Sequence, residues 1–357
     1  MKKTLSAVIV FALFTFTACQ KDTAIATNEP SALDIELEEY ITAASNGAGK
    51  DFFILPESDN YASIPQDPQN PITEEKVMLG RLLFHETGIG IAAKQELGMG
   101  TFSCASCHFA GAGFQAGRVQ GIGEGGLGIG RKGEGRYRSN LYKPEQLDVQ
   151  PIRTPTAMNG AYQKNMLWNG QFGGTGVNTG TEHLWAAGTP LANNALGYEG
   201  LEIQAIAGLG VHRLQVDSAI VAALGYQPLF DLAFGNVAVS DRYTIERAGQ
   251  AIAAYERTVM ANQSPWQKYL RGEMASLSDS EKRGAALFLG KAQCKNCHTG
   301  PALNSMSFHA LGMHDLYSCP EEVFMVNPEQ SVHLGRGGFT KDPTEEYQFK
   351  VPQLYNL

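Results

Sequence analysis

Two pentapeptides constrain this chain more than anything else in it: Cys104-Ala105-Ser106-Cys107-His108 and Cys294-Lys295-Asn296-Cys297-His298. Both read C-x-x-C-H, the pattern of covalent haem attachment. The spacing follows from the chemistry. Two thiols must reach two vinyl groups on one porphyrin edge, and the adjoining histidine then lies under the iron as its proximal ligand. Two C-x-x-C pairs could instead share a zinc ion, but they stand 190 residues apart and each carries a trailing histidine. A thioredoxin-like redox pair would sit in a βαβ unit, and no such alternation surrounds either motif. Cys104, Cys107 and His108 are therefore assigned to one haem c and Cys294, Cys297 and His298 to a second, with His108 and His298 ligating iron. Cys319 is left as an unpaired structural cysteine.

A chain that wraps large prosthetic groups needs long irregular loops. Forty of the 357 residues are glycine, and they crowd the stretch from Gly88 to Lys143, where almost nothing is periodic. A 43% hydrophobic, 18% charged composition supports packed cores and excludes a largely disordered protein. The net charge of −8 argues against a nucleic-acid-binding surface. Helical periodicity marks Ser31 to Ala44 and a segment from Thr73 through Val77, Leu79, Leu82 and Leu83. It returns at Ile245, Ala248, Ile252, Tyr255 and Val259, and again from Leu277 to Gly290, opened by the capping box Ser278 to Glu281. Residues 45–72 read as an extended, irregular connection. No convincing alternating strand is present. Leu79-Gly80-Arg81-Leu82-Leu83-Phe84 before the first motif resembles Lys282-Arg283-Gly284-Ala285-Ala286-Leu287-Phe288 before the second. The expected fold is mainly α: two cytochrome c-like helical domains with long glycine-rich loops, each wrapping one covalent haem.

Lys2 and Lys3, an apolar run from Leu5 to Phe16, and Thr17-Ala18-Cys19 form a secretory signal too short to span a bilayer stably. Cysteine directly after the small residue resembles a lipoprotein cleavage site, which makes Cys19 the expected lipid anchor. The expected division is a signal peptide at 1–18, a lipidated tether and extension at 19–64, an N-terminal haem domain at 65–241 and a C-terminal one at 242–357.

At these residues the chain resembles the bacterial dihaem cytochrome c peroxidases, a group that includes the methylamine-utilisation dihaem enzyme. Beyond the two motifs, the landmarks are Arg153-Thr154-Pro155-Thr156, Trp168-Asn169-Gly170, Leu201-Glu202-Ile203-Gln204-Ala205, the run Ala251 to Thr258, Phe308 to Gly312, and Phe349-Lys350-Val351-Pro352. The resemblance implies a periplasmic enzyme that reduces hydrogen peroxide at the N-terminal haem. Electrons reach the C-terminal haem from a small donor protein, a cytochrome c or cupredoxin. It also implies a bridging tryptophan between the haems, matched by Trp168, a distal glutamine, matched by Gln204, and a calcium ion between the domains. The calcium positions near Arg153 and Lys350 look altered. A homodimer is a further expectation.

Four departures stand out. Where relatives carry a histidine that caps the peroxidatic iron, Glu124 follows Gly121-Ile122-Gly123, so that haem is expected to be open or weakly capped. Gly121 to Gly126 also fits G-x-G-x-x-G, but without the strand and helix a dinucleotide site needs. The family's glutamate ten residues beyond the glutamine is Leu214 here, and His212 is the candidate general base, since histidine titrates near working pH; Glu202 is the runner-up. An insertion of about 26 residues between Gly173 and Gly200, with His183 and Trp185, has no family counterpart. The chain stops at Leu357, short of the family's second distal ligand. Truncation is the favoured explanation, with Met306, Met313, His309, His314 and His333 as alternative ligands. The rival functions are a dihaem oxidase that modifies a partner protein and a lipid-anchored electron carrier.

Overall fold

The computed structural model describes residues 29–355; the leader and Cys19 lie outside the described residues. Ten α-helices occur among these residues: α1 (Ala32–Ala44), α2 (Glu74–His85), α3 (Gly200–Val211), α4 (Ser218–Ala223), α5 (Gln227–Ala233), α6 (Val239–Arg242), α7 (Ile245–Arg257), α8 (Pro265–Leu270), α9 (Asp279–Leu289) and α10 (Gly335–Thr340). The strands are two-residue antiparallel pairs: β1 (Gly126–Leu127) with β2 (Tyr137–Arg138), and β3 (Phe308–His309) with β4 (Phe349–Lys350). The chain is thus mainly α, and no helix among the described residues is long and apolar enough to cross a membrane.

The periodic segments become the helices expected of them, with polar side chains at their starts. Thr73, Thr244 and Ser278 each accept a backbone N–H from the first turn of α2, α7 and α9. Ser278 and Glu281 complete the capping box. Ser31 and Asp34 form the same device at α1.

Five apolar clusters occur among the described residues, and two of them pack α2 on α7 and α1 on α9. The larger joins Leu79, Leu83 and Phe84 of α2 with Leu209 of α3, Phe230 of α5, and Ala248, Ala251 and Ile252 of α7. Gly80 is where α2 and α7 come closest: a Cβ there would collide with the Ala251 carbonyl, so only glycine permits the approach. By packing, α7 sides with α2 and α3, although the sequence division places it in the C-terminal domain.

The other assembly unites Leu37 and Ile41 of α1, Phe53, Tyr269 and Leu270 of α8, Leu277, and Leu289 of α9. Here the N-terminal extension packs against α8 and α9. Lys282 of α9 reaches Asp34 of α1 at 2.7 Å, and both are almost wholly buried. Gln267 grips the segment after α1, accepting from Leu55 N and donating to Phe53 O, each at 2.8 Å.

Candidate active site

The two C-x-x-C-H segments fold alike. Each begins as a single 3-10 turn, Cys104–Ser106 and Cys294–Asn296. The histidine N–H donates back to the first cysteine's carbonyl, at 3.1 Å for His108 and 3.0 Å for His298. His108 Nδ1–H donates to Phe114 O at 2.9 Å and His298 Nδ1–H to Leu303 O at 2.8 Å. Both acceptor residues hold left-handed backbone, φ 58° and 51°. This bond sets the tautomer and leaves each Nε2 as the lone-pair donor an iron ligand must be. Burial pushes the His108 pKa down to about 4, so the ring is neutral. Phe84 and Phe288, which end the duplicated phrases, lie against His108 and His298 with ring centroids 6.1 Å apart in both cases.

None of the four motif cysteines is paired in a disulfide. Cys107 is so buried that its pKa is pushed up to about 12, and burial raises that of Cys104 as well. A cavity of about 260 Å³ opens beside them, lined by Cys104, Cys107, His108, Gln204 and His212 among others. Gly121 forms part of the wall, where a Cβ would crowd Thr154 Oγ1 at 2.6 Å and Cys107 Sγ at 3.0 Å. Paired thiols, a neutral histidine with a free Nε2 and a glycine-walled cleft fit a haem c attached here. His298, Cys294 and Cys297 offer the same donor set for a second.

Gln204 and His212 both line this cavity. Gln204 projects from α3 with its Oε1 buried and unpartnered. His212 caps α3 and meets a residue that the sequence reading missed: its Nδ1 lies 3.0 Å from both carboxylate oxygens of buried Asp148. Burial resists charge on His212, but the Asp148 carboxylate outweighs it and raises the pKa above the ordinary histidine value. Asp148 is held by its own backbone, which accepts from Gly123 N at 2.8 Å, and Gly123 has no room for a Cβ against the carboxylate. The G-x-G pattern thus serves close packing against Cys107 and Asp148.

Glu124 does not join this group. Its carboxylate is fully buried, accepting from Lys94 N at 2.9 Å, Gln95 N at 3.0 Å and Tyr142 Oη at 3.0 Å, and pairing with Arg213. With those donors around it, the side chain is committed to fixing the loop beside His212 and is not among the cavity-lining residues. Glu202, the runner-up base, is likewise buried in an ion pair with Arg257 at 2.7 Å. Glu256 of α7 was not singled out from the sequence, yet it lines the cavity, and burial lifts its pKa to about 8.

Trp168 lines a second, neighbouring cavity of about 610 Å³ that shares Leu167 and Pro155 with the first. Its Nε1–H donates to Arg153 O at 3.2 Å, and its carbonyl accepts from Lys350 N of β4 at 2.8 Å. It therefore stands between the half that carries the first motif and the strand pair beside the second. The insertion folds into 3-10 turns, and Pro190 reaches the first cavity wall. His183 is exposed, and Trp185 donates to Thr181 Oγ1 at 3.1 Å, away from the cavity-lining set.

Among the alternative second-haem ligands, Met313 and His314 are exposed. His309 lies 3.7 Å from Cys297 Sγ. His333 is buried and bonded through Nδ1 to Asp315 at 2.7 Å, its Nε2 unpartnered.

The chain is similar to known proteins. Methylamine utilization protein MauG of Methylophilus methylotrophus is 27% identical over 303 residues, covering 83% of this chain and 69% of its own. Cytochrome-c peroxidase IdrP1 of Denitromonas iodatirespirans is 31% identical over 340 residues, covering 90% and 76%. Cytochrome c peroxidase Ccp of Escherichia coli is 26% identical over 302 residues, covering 85% of this chain and 52% of the relative. A crystal structure of a MauG-like protein associated with microbial copper homeostasis matches the fold with a TM-score of 0.51 at 23% identity, over 85% of this chain and 74% of the other. The family's sequence model, described as di-haem cytochrome c peroxidase, matches residues 74–275. Matched over more than half its length, and carrying both attachment motifs in duplicated geometry, the chain belongs to the di-haem cytochrome c peroxidase family.

Proposed function

We propose that this protein is a dihaem c-type peroxidase that reduces hydrogen peroxide to water with electrons from a small donor protein. The observation that supports the reading is the His212–Asp148 pair, which lines one cavity together with His108 and Gln204. Haem c bound through Cys104, Cys107 and His108 would supply the iron that binds peroxide and passes it electrons. The chain supplies the proton handling. His212 Nδ1–H is held by Asp148, which leaves Nε2 to accept a proton from the inner peroxide oxygen and return it to the departing outer one. Gln204 offers its side-chain amide to the polarised oxygen. The balance per turnover is one peroxide, two protons and two electrons to two waters.

Since donors deliver electrons singly, Cys294, Cys297 and His298 would hold a second haem c able to store or relay one, and Trp168 would serve as the bridging residue between the two sites. Export by the leader and a lipid anchor at Cys19 would hold the enzyme at the periplasmic face. A calcium ion between the domains and a homodimer carry no step of this reading.

Steady-state peroxide consumption by the holoprotein with reduced small cytochrome c tests it. Turnover that needs both peroxide and the reduced donor is expected; a haem-loaded protein with no turnover would leave the carrier or the protein-modifying oxidase.

A further inference from the structure

The cavity around Trp168 is lined by three ionisable side chains, Lys132, Arg153 and Lys350, and all three are bases. Lys350 is the buried one, at 5% exposure. Its Nζ donates to Gln163 Oε1 at 2.6 Å and to Asn165 O at 2.7 Å, both neutral acceptors. No carboxylate among the described residues pairs with it, whereas buried Lys282 has Asp34 and buried Arg257 has Glu202. An ammonium taken out of water without a counter-charge is costly, and burial alone draws its pKa down to about 7. The third N–H of the ammonium remains to be satisfied.

The position of Lys350 narrows the missing partner. Its strand neighbour is Phe308, and the next residue, His309, lies 3.7 Å from Cys297 Sγ. Its backbone N–H is bonded to Trp168 O. Gly111, Ala112 and Gln115, just beyond His108, line the same cavity. The site is therefore flanked by both attachment motifs. Haem c carries its two carboxylates on the edge opposite the thioethers, so it brings anionic groups of the required chemistry.

We propose that Lys350 binds a haem propionate in this cavity and thereby sets the reduction potential of the haem that bears it. The proposal rests on the two-haem reading. A cation against the propionate favours the reduced haem, which carries one positive charge fewer at iron. The mature holoprotein is the material for the test, with haem content established first by mass and pyridine haemochrome. Fewer than two haems in the wild type would sink the two-haem reading, an outcome distinct from a Lys350 variant that fails to shift a potential.

In K350Q with two haems, spectroelectrochemical titration should show one midpoint potential lowered and the other near the wild-type value. K350R should hold both. Two unmoved potentials in K350Q overturn the proposal. A diffusible anion could answer the same chemistry, so inorganic phosphate is titrated into the wild type. Potentials indifferent to phosphate support the propionate. A phosphate-dependent potential that K350Q abolishes identifies a free ion and overturns the assignment. If K350Q does not take up haem, K350R decides by resonance Raman. The propionate-bending band should move as the donor changes from ammonium to guanidinium, and an unmoved band overturns the proposal.

Discussion

Asp148 and His212 are 64 positions apart, and their contact gives the site its pH response. A base must be unprotonated to accept the peroxide proton, so kcat/KM should fall as pH drops through the His212 pKa. Asp148 holds that pKa above the ordinary value of about 6.5. Asp148→Asn removes the stabilising carboxylate, and the acidic limb of the profile should move to lower pH; a limb that stays put would detach the pair from catalysis. His212→Gln should lower kcat/KM by about 10²–10⁴-fold with haem content unchanged, the range general-base catalysis covers. Full activity in that variant removes His212 from the mechanism.

At the scale of elements, two contacts hold helix pairs together, α2 with α7 and α1 with α9. Gly80 lets α2 and α7 touch backbone to backbone, and these helices build the core beneath the first motif. Gly80→Ala should cost about 1–3 kcal/mol through overpacking, read as a lower denaturant midpoint. An unchanged midpoint would contradict the close approach. On the other side, burial resists ionisation of Asp34, but Lys282 and the Ser31 capping bonds prevail and hold its carboxyl well below the usual range. Its folded pKa is depressed, so its stabilisation is complete above about pH 4 and is lost only as pH falls through the lower folded value. Asp34→Ala strands a buried ammonium and should cost about 3–5 kcal/mol. Proteolysis of α1 in the native protein should then accelerate; equal resistance in the variant would mean that α1 is held by its apolar face alone.

For the whole molecule, the duplicated motif geometry predicts that the two sites can be separated. Replacing Cys294 and Cys297 by Ser should leave one haem per chain, with the first site's spectrum intact and donor-dependent turnover lost. Full turnover from that single-haem protein would show that electrons enter without the second site.

The attachment chemistry was legible in the sequence because it is local: C-x-x-C-H places three groups within five residues. Helix starts at Thr73, Thr244 and Ser278 were legible for the same reason, each cap acting on its own first turn. Gln204 and Trp168 were found through their place in the family's succession of motifs, and the structure puts both on cavity walls. Asp148, Glu256 and Lys350's bare charge had no local signal, since each depends on what folds against it from far along the chain. Glu124 shows the reverse. Its position suggested the iron, but four donors from distant segments turn it into a buried strut.

By itself, then, the order of residues determined the haem-attachment chemistry, the helical class and the family, because those rest on short-range stereochemistry and on motif succession. Only the tertiary structure decided which side chains face the cavity, that α1 belongs with α9, and that α7 belongs with α2. Charge pairing and backbone contact arise between residues dozens to hundreds of positions apart, and no spacing along the chain encodes them.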